Sequence, residues 1–132
     1  MLKPKLLLIS ITVAFLSANA YAADLSESEV IELVKGNTLT ATTKRKGDLK
    51  VHYYFMEDGN VLIEDDAGGG RDATWKVDGK GNLCITKHKG GWSCLPVKQA
   101  GNGKYDRYKT KGPKKIVIMK FHSVAEGNSR DM

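Results

Sequence analysis

LKVHYYFMEDGNVLI, residues 49–63, is the stretch that decides the fold. Leu49, Val51, Tyr53 and Phe55 alternate with Lys50, His52, Tyr54 and Met56, the period of two that sends successive side chains to opposite faces of a strand. Asp58-Gly59 then turns the chain. A three-residue loop, Glu57-Asp58-Gly59 with Gly59 at positive φ, sets Phe55 opposite Val61 and Tyr53 opposite Ile63, whereas a two-residue loop would mismatch the apolar sides. The stretch reads as a β-hairpin with one buried face.

On either side of it, turn residues recur at intervals of about ten with β-branched and aromatic residues between them, as in all-β domains. Strands are expected over 38–43, 49–56, 60–65, 73–78, 82–87, 92–98, 104–110 and 115–121. The fold class is mainly β, an antiparallel eight-stranded meander forming a small barrel or sandwich, with one short N-terminal helix. Ser26 and Glu29 at capping-box spacing start the helix, and Leu25 and Val30 occupy hydrophobic-staple positions. Val30, Ile31, Leu33 and Val34 give it an apolar side, and Gly36 stops it. Ile116-Val117-Ile118-Met119, apolar on both faces, predicts a central strand or one sealed against the helix. The polar run 126–132 is expected to fray.

Cys84 and Cys94 fit a second hairpin, in which Cys84 lies across from Cys94 and Leu83 across from Leu95, with Lys87-His88-Lys89-Gly90-Gly91 at the tip. Directly opposed cysteines can be bridged. In this register Leu83, Ile85, Leu95 and Val97 face the core, while the disulfide and Trp92 share the other face.

The beginning of the chain has the layout of a secretory signal. Lys3 and Lys5 precede an uncharged stretch from Leu6 to Phe15, and small residues follow. Two small-x-small patterns are present, Ala18-Asn19-Ala20 and Ala20-Tyr21-Ala22, and the second leaves a polar new terminus at Ala23-Asp24. Residues 1–22 are therefore expected to be removed, leaving one β-rich domain over 23–125 and the tail 126–132. Ser10, Thr12, Ser17 and Asn19 interrupt the apolar run and argue against a retained transmembrane anchor. Periplasmic or secreted placement follows, and an oxidising compartment favours the Cys84–Cys94 bridge.

Charge is uneven. From Asp24 to Asp72 there are six basic and eleven acidic residues, and from Lys76 to Lys120 twelve basic and two acidic. A basic second half attracts anionic partners, and in the cell envelope these are an anionic polymer, lipid or protein. The candidate anion-binding residues are Lys87, Lys89, Trp92, Lys104, Arg107 and Lys109, with Tyr105 and Tyr108 interleaving aromatic rings among the charges. The alternative use of such lysines is to keep strand edges soluble and unpaired. No nucleic-acid motif occurs, and no nucleic-acid partner is expected.

Other chemistry finds less support. Glu64, Asp65, Asp66 and Asp72 flank Ala67-Gly68-Gly69-Gly70-Arg71, an acidic loop whose spacing is not that of an EF-hand. His52, His88 and His122 have no zinc-type spacing, and bridged cysteines cannot ligate a metal. There is no nucleophile elbow and no free thiol once the bridge forms. No catalytic residue, metal or cofactor is expected, and the domain reads as non-enzymatic.

Asp72-Ala73-Thr74-Trp75-Lys76-Val77, Gly81-Asn82-Leu83-Cys84 and Trp92-Ser93-Cys94, preceded by Tyr54-Phe55-Met56-Glu57-Asp58-Gly59, resemble a pattern in small exported proteobacterial β-rich proteins of unknown function. The resemblance implies an exported β domain and brings no activity. Tyr108-Lys109-Thr110-Lys111-Gly112 is similar to part of the Tyr-x-x-x-Thr-Lys-Gly pattern of periplasmic lysozyme inhibitors, whose inserting Ser-Gly loop has no counterpart here. The expectation is thus an exported, non-catalytic β-barrel-like binding domain for an anionic envelope component. The alternative is an inhibitor of an envelope enzyme such as a peptidoglycan hydrolase.

Overall fold

The computed structural model describes residues 23–43 and 48–132, so the leader expected at 1–22 lies outside the described residues. Helix α1 (Glu27–Val34) precedes β1 (Asn37–Thr43), β2 (Leu49–Phe55), β3 (Asn60–Asp65), β4 (Gly70–Val77) and β5 (Leu83–Thr86). There follow β6 (Trp92–Leu95), β7 (Val97–Gln99), β8 (Tyr105–Lys111) and β9 (Lys114–Glu126). All nine strands form one antiparallel sheet in the order β6-β5-β4-β3-β2-β1-β9-β8-β7, curled into a nearly closed barrel.

Both hairpin registers expected from the sequence are present. Phe55 pairs with Val61 and Tyr53 with Ile63. The loop between them closes through the Met56 N–H, which donates to the Asn60 carbonyl at 2.8 Å, and Gly59 adopts φ 95°, a conformation that would strain a side chain. Cys84 pairs with Cys94 and Leu83 with Leu95, and the two cysteines are bridged.

Nine strands stand where eight were expected because 92–98 is two. Pro96 has no N–H to give to a ladder. β6 therefore ends at Leu95, and β7 begins at Val97 and pairs with β8. β9 runs beyond the expected 121 to Glu126 and pairs with β1 from Asn37–Glu126 to Thr43–Met119, with a bulge between Thr40 and Ala41. β9 lies between β1 and β8 in the sheet, but its apolar run Ile116–Ile118 extends past the Thr43–Met119 pair and has β8 alone beside it among the described residues, so that run is not the central segment expected. Beyond β9, the Thr38 hydroxyl donates to the Gly127 carbonyl at 2.6 Å and accepts from the Ser129 N–H at 3.2 Å.

One end of the barrel is sealed. The Ser26 hydroxyl accepts from the Glu29 N–H while the Glu29 carboxylate accepts from the Ser26 N–H, completing the capping box. Val30 and Val34 are fully buried, and the Gly36 N–H donates to the Phe55 carbonyl at 2.7 Å, which fixes α1 over the end where β1 starts and β2 finishes. Beneath the helix, Phe55 meets Trp75 edge-on at 5.7 Å, and Tyr53 meets Phe121 edge-on at 6.0 Å. The Trp75 indole N–H has a partner in the Met56 carbonyl at 2.8 Å, so its burial leaves no polar group stranded. Among the described residues, no helix is long and apolar enough to cross a membrane.

Closure of the short loop between the cysteines contributes about 2 to 3 kcal/mol through the entropy removed from the unfolded chain. Native protein should therefore show little thiol labelling until it is reduced, and Cys84→Ala/Cys94→Ala should unfold at lower urea by that amount. Full labelling without reductant would contradict the bridge.

Candidate functional site

β6 and β7 are the two free edges of the sheet, and they are joined through Pro96 alone, so the seam of the barrel lies where the chain is continuous. Three sets of contacts close it. On the outer edge of β7, Asp24 forms an isolated bridge with Lys98, and the Leu25 N–H donates to the Val97 carbonyl at 2.8 Å. The Tyr108 N–H donates to the Pro96 carbonyl at 3.2 Å, and its hydroxyl donates to Asp24 at 2.6 Å. From β8, Arg107 crosses beneath the seam, and its Nη2 donates to the carbonyls of Ser93 at 2.8 Å and Leu83 at 3.1 Å. A bulge in the β8–β9 ladder sets Arg107 against Met119 and Tyr108 against Val117, leaving Ile118 unpaired between them.

The end of the barrel opposite α1 opens into a cavity of about 720 Å³. Arg107 and Tyr53 form its floor, 3 % and 5 % exposed. Ile85, Leu95, Ile118 and Met119 supply apolar wall. Arg71 also lines it, held by donation from Nη2 to the Thr86 carbonyl at 2.9 Å. Lys87 and Lys109, both exposed, stand at the mouth, and Ile116 is exposed beside Lys109 on the protruding β8–β9 hairpin.

The floor carries charge that no carboxylate among the described residues pairs with. Among the described residues, ion pairs join Arg130 to Glu64 and Asp66, Asp66 also hydrogen-bonds His52, and none of these contacts reaches Arg107. The Arg107 Nε is buried without a hydrogen-bond partner among the described residues. Burial lowers the Arg107 pKa to about 10, which leaves the guanidinium cationic at neutral pH. Tyr53 does not neutralise it, because burial raises that phenol to about 12 against the opposing pull of Arg107 and Arg71. A cation in a low-dielectric floor, facing apolar walls, is suited to hold an anion.

Of the residues singled out from the sequence, the structure brings Lys87, Arg107 and Lys109 to this cavity. Arg107 belongs to its interior, not to an outer basic face. Lys89 is exposed at the β5–β6 tip and Lys104 in the turn before β8, and neither lines the cavity. Trp92 is 40 % exposed on the outer face, with the Lys76 ammonium 4.4 Å above its ring. Tyr108 is also turned away, its ring covered by Lys98 and Lys115. Tyr53 and Arg71 were not singled out as site residues. Their signal was present, since Arg71 keeps the inward parity of Ala73 and Trp75 and Tyr53 that of Val51 and Phe55.

Other groups singled out from the sequence are engaged within the fold. Asp65 accepts from the N–H groups of Ala67 and Gly69 within its own loop, while Glu64 and Asp66 turn to Arg130 and His52. His52 is spanned by Thr40 and Asp66, both at 2.8 Å, and His122 meets Thr42 at 3.0 Å. The hydrogen bond with His52 holds the Asp66 carboxyl below its ordinary pKa. Asp78 lies near both cysteine sulfurs, but these are bridged and its carboxylate accepts from the backbone and side chain of Asn82. No protein-family model, curated protein or solved structure matches this chain.

The floor and seam give a pH signature. Tyr53 and Tyr108, both raised to about 12, stay protonated in the fold where the unfolded chain has lost those protons, so each makes stability fall as pH climbs from 10 to 12. Arg107, lowered to about 10, acts in the opposite sense over the same range. Two phenols against one guanidinium leave a net fall. Urea midpoints should drop from pH 10 to 12, and the drop should be shallower in Tyr53→Phe. A midpoint that rises over this interval would contradict the assignment.

Proposed function

We propose that this is an exported, non-catalytic binding domain that takes an anionic component of the cell envelope into the open end of its barrel. The observation that carries this reading is Arg107, a buried cation on the cavity floor that the fold leaves without a carboxylate. Burying an ionised group alone is costly, and a fold that keeps one facing a cavity is organised around a counter-charge from outside. Lys87 and Lys109 at the mouth would draw an anion in, as focused charge at a cleft does.

Export is supported by the leader-like pattern at 1–22 together with the Cys84–Cys94 bridge, since disulfides persist in oxidising compartments. The non-catalytic reading is supported by the polar groups of the floor. Arg107 stays charged and Tyr53 stays protonated at neutral pH, so neither is poised as a general base there.

Titration with the anionic dye 8-anilinonaphthalene-1-sulfonate tests the reading. Emission should rise to saturation at one site, and binding should weaken by roughly tenfold in Lys87→Glu/Lys109→Glu and at high salt, because attraction at an exposed mouth is screened. Near-ultraviolet circular dichroism confirms that packing persists in each sample. Equal binding by the charge-reversed variant would remove the cavity mouth as the entry point.

A further inference from the structure

The cavity is polar at its floor, where Arg107 and Tyr53 lie, and apolar along the β9 side of its wall, which rises to a mouth flanked by Lys87 and Lys109. Arg107 and Tyr53 are almost wholly buried, whereas Ile116 is 36 % exposed and Val117, Ile118 and Met119 are only partly covered. The bulge opposite Arg107 adds to this apolar collar, because it breaks the alternation of β9 and lets 116–119 all line the cavity. A small hydrophilic anion would satisfy the floor and leave the collar wet. A neutral hydrocarbon would cover the collar and leave the guanidinium without a partner.

Resting on the reading of the cavity as an anion site, we infer that its ligand is a single-chain amphiphile with a carboxylate or phosphate head, bound head first. The head lies against the Arg107 guanidinium at the floor, and the alkyl chain runs outward between Ile85 and Leu95 on one wall and Ile118 and Met119 on the other. Ile116 marks where the chain leaves the barrel. At about 720 Å³ the cavity lies within the range of small-molecule sites, roughly 300 to 1,000 Å³. The Nη2 atom, already donating to Ser93 and Leu83, holds the guanidinium in place before the ligand arrives.

Calorimetry with alkanoates and alkyl phosphates of increasing length, each below its critical micelle concentration, tests this, alongside alkanols of matching length and acetate and inorganic phosphate. The Arg107 side-chain Nε–H resonance is followed in parallel. Affinity should tighten by roughly fourfold for each added methylene until the chain clears the mouth. Alkanols should bind far more weakly, and the head should shift the Nε–H signal. Stronger response to one of the two head groups identifies which source of the anion the site prefers. Arg107→Gln should abolish the advantage of the charged head. If that variant does not fold, Ile116→Glu, at an exposed position, should weaken the dodecanoate complex while sparing butanoate. Shifts by acetate or phosphate with no gain from chain length would overturn the amphiphile and leave the anion site standing. Silence from every anion would overturn both. Alkanols binding as tightly as alkanoates would overturn the head-first arrangement.

Discussion

The interaction on which the structure turns is the donation from Arg107 to the Ser93 and Leu83 carbonyls. Pro96 ends one ladder and cannot start another, so the barrel must be closed by something other than backbone pairing between β6 and β7. Backbone contacts of Asp24, Leu25 and Tyr108 hold β7, and the link to β5 and β6 falls to a side chain, which has to carry several donors in a rigid arrangement. Arginine does this with five N–H groups in a planar fork, which lysine does not match. Leaving a buried carbonyl without a donor would cost about 1 to 3 kcal/mol each, so the seam gives Arg107 a structural reason to be inside. The unpaired Nε and the charge are what that reason does not use.

The two ends of the barrel differ because of how each is built. At the sealed end, turns are tight and α1 lies across them, with Val30 and Val34 driven into the core. At the other end the β8–β9 hairpin extends past the Thr43–Met119 pair, and nothing among the described residues spans the opening. Lys109, Lys111, Lys114 and Lys115 are exposed on that hairpin, and Lys87 leads into the β5–β6 tip nearby. The basic second half of the sequence thus gathers partly about one opening, while several acidic residues of the first half cap the helix or pair with Arg130 and His52 on the outside.

Much of this was legible in the chain, and the boundary is physical. The 49–63 and 83–95 hairpins, the bridge and the capping box depend on residues close in sequence whose alternation or spacing admits one arrangement. What could not be read depends on distant pairing. The extension of β9 to Glu126 requires β1 beside it, and the contacts of Gly127 and Ser129 require the Thr38 hydroxyl. Arg107 was recognised as a candidate anion ligand, yet its burial follows from a seam that exists only after all nine strands have assembled. Arginine is rarely buried without a partner, so composition pointed it outward.

The ladder between β1 and β9 joins the first strand to the last, Asn37 to Glu126. Contacts of such long sequence separation form late and slowly. A growing chain can make its local hairpins, but it has no neighbour for the free edge of β1 until β9 has been synthesised. Until then the chain remains a string of marginal hairpins rather than a finished shell. The strand synthesised last is thus the one that turns separate hairpins into a single shell.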